Sequence, residues 1–196
     1  MDARSALLDV ARAKLETRSL GEVSLDEIRR AAEVSNGSLF HHFPTKNHLA
    51  RALYLEALAG YQAELSAVLG KARTARAGVE AMVEAHVAWV LANRGAAKLL
   101  VELRDATAVE GDDVDWKKVN ADAFAKLRAF VTKHVASGAM RELPFDVWMA
   151  LVFAPVLQLT RTWVLRPKVT PAVRRALAEA AWAAVRSPSK KETTDE

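Results

Sequence analysis

The segment formed by residues 24–49, SLDEIRRAAEVSNGSLFHHFPTKNHL, constrains the fold more than any other part of this chain. Ser24 followed three positions later by Glu27 is a capping pattern that predicts the start of a helix. Ser35 is placed to cap a second helix, and Pro44 ends it, because the residue before a proline is driven out of the helical region. The segment therefore predicts two short helices joined by a tight turn.

The apolar residues of this segment recur at helical spacing. Leu25, Ile28 and Ala32 lie three or four positions apart, so they share one inward face of the first helix. Leu39 and Phe43, four positions apart, pack the second helix onto the first. This arrangement is typical of a helix-turn-helix, whose second helix enters the major groove of DNA.

The outward face of the second helix carries small or hydrogen-bonding residues, namely Asn36, Gly37, Ser38, His41 and His42. Asparagine pairs with adenine through two hydrogen bonds, serine pairs with several base edges, and glycine lets the backbone approach closely. Thr45 is placed to cap a third, longer helix. Lys46 adds a cation at the start of that helix, where free backbone amides already favour phosphate.

With Leu7, Leu8, Ala11 and Leu15 in a preceding helix, this segment resembles the DNA-binding domain of the TetR family of transcriptional regulators. The resemblance covers roughly the first quarter of the chain and implies that the recognition helix reads bases near its start and phosphates near its end. It implies base contacts from Asn36, Ser38 and His41, and backbone contacts from His42, Thr45 and Lys46. The predicted DNA-binding residues are Ser35, Asn36, Gly37, Ser38, His41, His42, Thr45 and Lys46.

The chain departs from the family pattern at two positions. Glu33 stands where the family usually has glycine in the turn, and a non-glycine residue in a left-handed conformation costs about 1 kcal/mol. The turn should still form, with Val34 filling it. Phe40 stands where a tyrosine is common, so a hydroxyl group that could reach phosphate is missing.

The formal net charge of +4 does not support DNA binding by itself. Residues 1–50 contain seven Lys/Arg and seven Asp/Glu residues, so this part of the chain is formally neutral. The local arrangement is more informative, because residues 29–51 hold four cations, one acid and three histidines. An ordinary helical hairpin with a solvated basic face remains the alternative interpretation.

The rest of the chain has helical periodicity and no strand-like alternation of useful length. Helices are predicted at about 45–69 and 75–93, in a shorter stretch that follows the break at Gly95 and ends at about Asp105, and at about 116–136, 145–165 and 171–186, with an acidic surface loop at 110–115. The predicted fold is all-α, with an N-terminal three-helix bundle that contains the helix-turn-helix and a larger helical ligand-binding and dimerisation domain. We place the DNA-binding domain at residues 1–48, the larger domain at 49–186 and a disordered tail at 187–196.

The last two predicted helices favour a dimer. Residues 145–165 are apolar nearly all round, and such a helix needs cover on both sides. Residues 171–186 have a broad Ala/Leu/Val face suited to close packing. The family resemblance implies a four-helix bundle made of two helices from each subunit, and the alternative is that both helices fill a monomer core.

The resemblance also implies a small-molecule site in the larger domain, for an effector that is largely apolar. Its candidates are Met82, His86, Trp89, Phe124, Trp148, Leu151, Gln158, Arg161 and Thr162. Each has a simpler explanation, because histidine and tryptophan on apolar stripes are often core residues. Gln158 and Arg161 are more suggestive, since a buried amide or cation needs a partner. An interior proline, Pro155, removes one hydrogen bond from the same helix.

These features predict a homodimeric, ligand-responsive repressor that binds a near-palindromic DNA operator. A helical dimer that binds a small molecule or a protein partner without reading DNA is the alternative, supported by the neutral N-terminal charge and by Glu33. Nothing indicates an enzyme, although one could depend on His86, Gln158 or Arg161. We predict no catalytic residue, cofactor or metal site, and the absence of cysteine excludes disulfides. Without a predicted membrane span or signal peptide, we expect a cytoplasmic protein.

Overall fold

The computed structural model describes residues 2–103, 113–163 and 169–188. Within these ranges the fold is all-α, as predicted. Its helices there are α1 Ala3–Leu15, α2 Leu25–Ala31, α3 Asn36–His42, α4 Lys46–Lys71, α5 Ala75–Ala92, α6 Arg94–Leu103, α7 Asp113–Ala136, α8 Phe145–Trp163 and α9 Pro171–Val185. Residues 110–112 of the predicted acidic loop and 189–196 of the predicted tail lie outside the described residues. The prediction of a loop at residues 113–115 is wrong, because α7 already begins at Asp113.

The chain divides into two compact units. The first consists of Met1–Gly60 and Ala92–Val119, and the second of Tyr61–Leu91 and Asn120–Glu196. The boundaries between the units fall within α4, at the end of α5 and within α7.

The first unit is built around the apolar faces of its short helices. Its buried residues include Leu7, Leu8, Ala11, Leu15, Ile28, Leu39, Phe43, Leu49 and Leu53, and this set contains the four apolar residues predicted for α1. Leu99 of α6 belongs to the same cluster, although it lies far along the sequence. The start of α6 approaches the end of α1 closely, because the Gly95 amide donates to the Glu16 carboxylate at 3.3 Å.

The second unit packs α5, α7, α8 and α9 around one core. The central residues include Val79, Met82, Val83, Val87, Trp148, Val152 and Val156. Gly78 lets α5 approach α7 closely, because a Cβ atom there would meet the Phe130 ring and the ring would have to shift. One face of α8 is buried and the opposite face is exposed in the single chain, which leaves Val147 and Leu159 open to solvent.

Candidate DNA-binding interface

Two serine side chains cap the N-termini of the two helices of the helix-turn-helix. Ser24 Oγ accepts a hydrogen bond from the Glu27 amide at 3.1 Å, and Ser35 Oγ accepts one from the Ser38 amide at 3.2 Å. Each satisfies a backbone donor that the helix itself leaves unpaired. Both predicted caps are confirmed. The Glu27 carboxylate turns away from the cap and binds Lys14 and Arg18 of the preceding segment.

The turn between α2 and α3 is strained, as predicted. Glu33 has a φ angle of 55°, in the left-handed region that favours glycine. Val34 follows it and is only 9% exposed, so it fills the turn. The Arg29 guanidinium donates to the Val34 carbonyl at 3.2 Å and to Asp26 at 2.7 Å, which ties the turn back to α2.

Helix α3 has one buried face and one face open to solvent. Leu39 and Phe43 are almost fully buried. The residues of the open side are Ser35, Asn36, Gly37, Phe40 and His41, which are exposed, and Ser38 and His42, which are half-buried. A Cβ atom added at Gly37 would meet nothing within 4 Å, so the fold does not require glycine there. The space over Gly37 is open to a molecule approaching from outside.

The start of α4 continues this surface. The Thr45 hydroxyl accepts from the His48 amide at 3.4 Å, as its predicted capping role requires, and contacts His48 Nδ1 at 2.8 Å. Lys46 Nζ donates to the Gly21 carbonyl at 3.3 Å. Sequence reasoning did not include His48 in the site, although its spacing from Thr45 places both residues on one side of the first turn.

Ion pairs neutralise much of the charge around the helix-turn-helix. Hydrogen bonds from Lys14 and Arg18 lower the pKa of Glu27 to about 2, so its carboxylate stays ionised. The side-chain hydrogen bond from Arg29 likewise lowers the pKa of Asp26, with Arg30 adding a Coulombic attraction. Asp26 and Glu27 of α2 are therefore each paired directly with two cations.

The predicted small-molecule candidates occupy different environments in the second unit. Met82, His86, Trp89 and Trp148 are buried, Leu151 is half-buried, and Phe124, Gln158, Arg161 and Thr162 are exposed in the single chain. Because the Gln158 amide and the Arg161 cation are exposed in the single chain, water can solvate them and neither needs a partner inside the protein. Phe124 packs edge-on against Phe145, whose ring is stacked parallel to that of Trp148.

A chain of buried hydrogen bonds runs through His86. Thr160 Oγ donates to the Val156 carbonyl at 2.8 Å, so it accepts from His86 Nε2 at 2.9 Å, and His86 Nδ1 then accepts from the Tyr61 hydroxyl at 2.8 Å. Burial lowers the pKa of His86 to about 4, which keeps the ring neutral. Sequence reasoning missed Tyr61 and Thr160, because nothing in the sequence brings three separate helices together at one histidine.

A groove of about 550 Å³ lies on the second unit between α5 and the start of α9. Six charged residues line it, namely Arg76, Glu80, Glu84, Arg174, Arg175 and Glu179. Bonds within the wall include Arg76 to Glu80 at 2.7 Å and Arg174 to Glu84 at 2.7 Å. None of the predicted small-molecule candidates lines this groove. Its walls are charged, in contrast to the apolar site expected.

The residues that the structure describes contain no group of three or more His, Cys, Asp or Glu side chains placed to hold a metal ion. Their helices include none with the length and apolar character needed to cross a bilayer.

Comparison with known proteins gives a match at the same segment. Residues 7–53 match the sequence model of the family described as bacterial regulatory proteins, tetR family. No curated protein matches the chain in sequence. Among solved structures, a protein of unknown function from Rhodococcus sp. RHA1 superposes with a TM-score of 0.80 at 21% identity, covering 95% of this chain and 97% of that one.

Two other solved structures carry the same fold. A TetR family transcription regulator from Marinobacter aquaeolei VT8 has a TM-score of 0.74 at 16% identity, with 95% of this chain and 96% of that chain covered. The transcriptional regulator FadR from Bacillus subtilis, solved in complex with stearoyl-CoA, has a TM-score of 0.71 at 15% identity, with 93% and 99% covered. At these identities the likeness shows a shared fold.

Proposed function

We propose that this chain, whose residues 7–53 match the sequence model of the tetR family of bacterial regulatory proteins, is a ligand-responsive transcriptional repressor. It binds a near-palindromic operator as a homodimer and is released by a small-molecule effector. In this proposal residues 1–48 bind DNA, residues 49–186 bind the effector and form the dimer, and the protein acts by binding rather than by catalysis.

The geometry of α3 carries the proposal. The helix is capped by Ser35, held from behind by Leu39 and Phe43, and presents Asn36 and Gly37 at its exposed start. The start of a recognition helix is the part that reaches base edges in the major groove. Ser38 and His41 complete the proposed base contacts, and His42, Thr45 and Lys46 the proposed phosphate contacts.

The exposed faces of α8 and α9 support the dimer. Val147 and Leu159 on α8 are 40% and 38% exposed in the single chain. The exposed alanines of the two helices are Ala150, Ala154, Ala172, Ala176, Ala180 and Ala183. Small side chains let helices approach closely, and a two-fold symmetric dimer suits an operator whose half-sites lie about 34–36 Å apart.

The effector site is proposed within the second unit. Met82, His86, Trp89, Phe124, Trp148, Leu151, Gln158, Arg161 and Thr162 remain its candidate residues. FadR is a fold neighbour that binds a long-chain acyl-CoA, and an effector with a large apolar part is the corresponding proposal for this chain. Release from DNA requires that the effector binds more tightly to the conformation that does not fit the operator.

A gel-shift series on the DNA upstream of the protein's own gene tests the proposed function. The wild-type protein should shift that fragment, with affinity that falls as salt rises. Lys46→Ala should weaken binding, because the side chain is proposed to contact phosphate. Lys126→Ala, an exposed lysine on α7, is the matched control and should bind as the wild type does. Equal, weak and salt-insensitive binding by wild type and Lys46→Ala would contradict the proposal.

A further inference from the structure

Most Lys and Arg side chains of residues 1–50 form ion pairs with carboxylates. Six of the seven Lys/Arg residues within residues 1–50 lie in ion pairs, namely Arg4, Arg12, Lys14, Arg18, Arg29 and Arg30. The seventh, Lys46, contacts the Gly21 carbonyl. A guanidinium whose charge is balanced by a neighbouring carboxylate adds little net attraction for phosphate. Within residues 1–50, the paired cations therefore add little net attraction for phosphate beyond that of Lys46.

Three histidines lie in the eight positions 41–48 at this surface. The rings of His41 and His42 meet edge-on with their centres 5.1 Å apart at the end of α3. His48 is exposed on the first turn of α4, with Nδ1 2.8 Å from the Thr45 hydroxyl. That hydroxyl can donate to a neutral ring or accept from a protonated one, so the contact is compatible with either charge state of His48.

Charged residues in the segments around these histidines include Asp2 and Arg4 at the start of α1, Arg29, Arg30 and Glu33 around the end of α2, and Lys46 and Arg51 in α4. The Ser5 amide is the main cause of the lowered pKa of Asp2, and His42 contributes a smaller Coulombic attraction. Asp2 is therefore an acidic neighbour within electrostatic reach of His42.

We propose that His42 and His48, in their protonated forms, supply part of the phosphate-binding charge of this interface, so that operator binding is linked to proton uptake. The inference rests on the proposed function and adds a form of regulation to the same site. Histidine is suited to this role, because it is the side chain that changes charge between pH 5 and pH 8. Each protonated ring would neutralise one phosphate and release its counterion.

The test uses the full chain and a DNA duplex selected by that chain from a random-sequence library at pH 7.0. Its dissociation constant is measured by fluorescence anisotropy between pH 8.0 and pH 5.5, at several salt concentrations. We expect affinity to rise roughly tenfold on acidification, and the slope of log affinity against log salt to steepen by up to about two. The lower limit stays above the pKa of about 4 of His86, so this core histidine remains neutral.

Two histidine variants and one lysine variant separate the outcomes. The double variant His42→Asn with His48→Asn should lose most of the pH dependence, and His48→Asn alone, at an exposed position, should lose part of it. Lys46→Gln should weaken binding at every pH and retain the pH dependence. A wild-type affinity independent of pH, or equal pH dependence in the wild type and the double variant, overturns this inference alone. A selection that enriches no duplex overturns the proposed function and the inference with it.

Discussion

At the scale of single residues, two positions in the helix-turn-helix carry a residue that is not the most stable choice for the local backbone: a non-glycine residue in the left-handed turn and a glycine within a helix. Glu33 adopts the left-handed conformation that glycine adopts without cost, at a φ angle of 55°. Gly37 lies within a regular helix, with open space where a side chain would point. The fold explains neither residue. The proposed close approach to DNA explains the glycine at position 37.

Replacing Glu33 with glycine should stabilise the protein. The change removes the steric cost of a left-handed non-glycine residue, and we expect the free energy of unfolding to rise by roughly 1 kcal/mol. Urea denaturation followed by circular dichroism measures the effect. Glu33→Ala is the control, because alanine keeps the strain and should give no such gain. A decrease in stability for Glu33→Gly would contradict the explanation.

Replacing Gly37 with alanine should separate folding from DNA binding. Alanine is favoured over glycine in a helix interior by about 0.5–1 kcal/mol, and the structure offers room for its Cβ atom. We therefore expect slightly higher stability together with weaker operator binding in a gel shift, because the backbone can no longer approach the groove closely. Gly60→Ala, at another open helical position in α4, should match the gain in stability without the loss of binding.

At the scale of elements, one histidine joins three helices of the second unit. His86 of α5 accepts from Tyr61 of α4 and donates to Thr160 of α8, so its ring uses both nitrogen atoms inside the protein. Both ring nitrogens are hydrogen-bonded inside the protein, as expected if His86 is a core residue and not an effector ligand. An effector that used His86 directly would have to displace one of these two hydroxyl groups.

The buried histidine predicts how stability changes with pH. Because folding lowers the pKa of His86 to about 4, the unfolded chain binds the extra proton first as the pH falls below about 6.5. The free energy of unfolding therefore decreases on acidification, by about 3 kcal/mol between pH 7 and pH 4. Urea denaturation across this range measures the loss.

The variant His86→Asn isolates the contribution of this ring. It should be less stable than the wild type at pH 7, because it disrupts the hydrogen-bonded chain, and its stability should fall less steeply toward pH 4. Burial also lowers the pKa of His134, so a smaller slope of the same sign should remain in the variant. Parallel pH profiles for the two proteins would show that His86 does not titrate as described.

At the scale of the whole molecule, the proposed activity depends on pairing two chains. The exposed apolar and alanine residues of α8 and α9 would be covered in the proposed dimer. Covering them would remove apolar surface from water, the main driving force of obligate association. The proposal of an operator with near two-fold symmetry depends on this pairing.

A charge placed on α9 should prevent that pairing. For Ala180→Glu we expect a monomer at micromolar concentration in sedimentation velocity, with operator affinity reduced roughly tenfold or more, because a buried unpaired carboxylate is strongly unfavourable. Ala129→Glu, at an exposed position of α7, should remain a dimer with unchanged affinity. A wild-type protein that sediments as a monomer would refute the dimer itself.

Much of the fold and of the proposed DNA surface is readable from the sequence, because it depends on local chemistry. The caps by Ser24 and Ser35, the strained turn at Glu33 and the stop before Pro44 each involve residues a few positions apart. The same holds for the helical periodicity that predicts the all-α fold. The contact of His48 with Thr45 is also predictable from the sequence, since Thr45 lies three residues before it.

What the tertiary structure decided involves residues far apart in sequence. The packing of Leu99 into the core around α1, the neutralisation of Arg12 by Glu56, and the ties from His86 to Tyr61 and Thr160 join separate helices. Helix propensity and capping act over one or two turns, whereas these contacts depend on which helices meet and at what angle. The sequence alone therefore determined a helix-turn-helix and its outward residues, and only three-dimensional packing decided which charges and which buried polar groups were already paired.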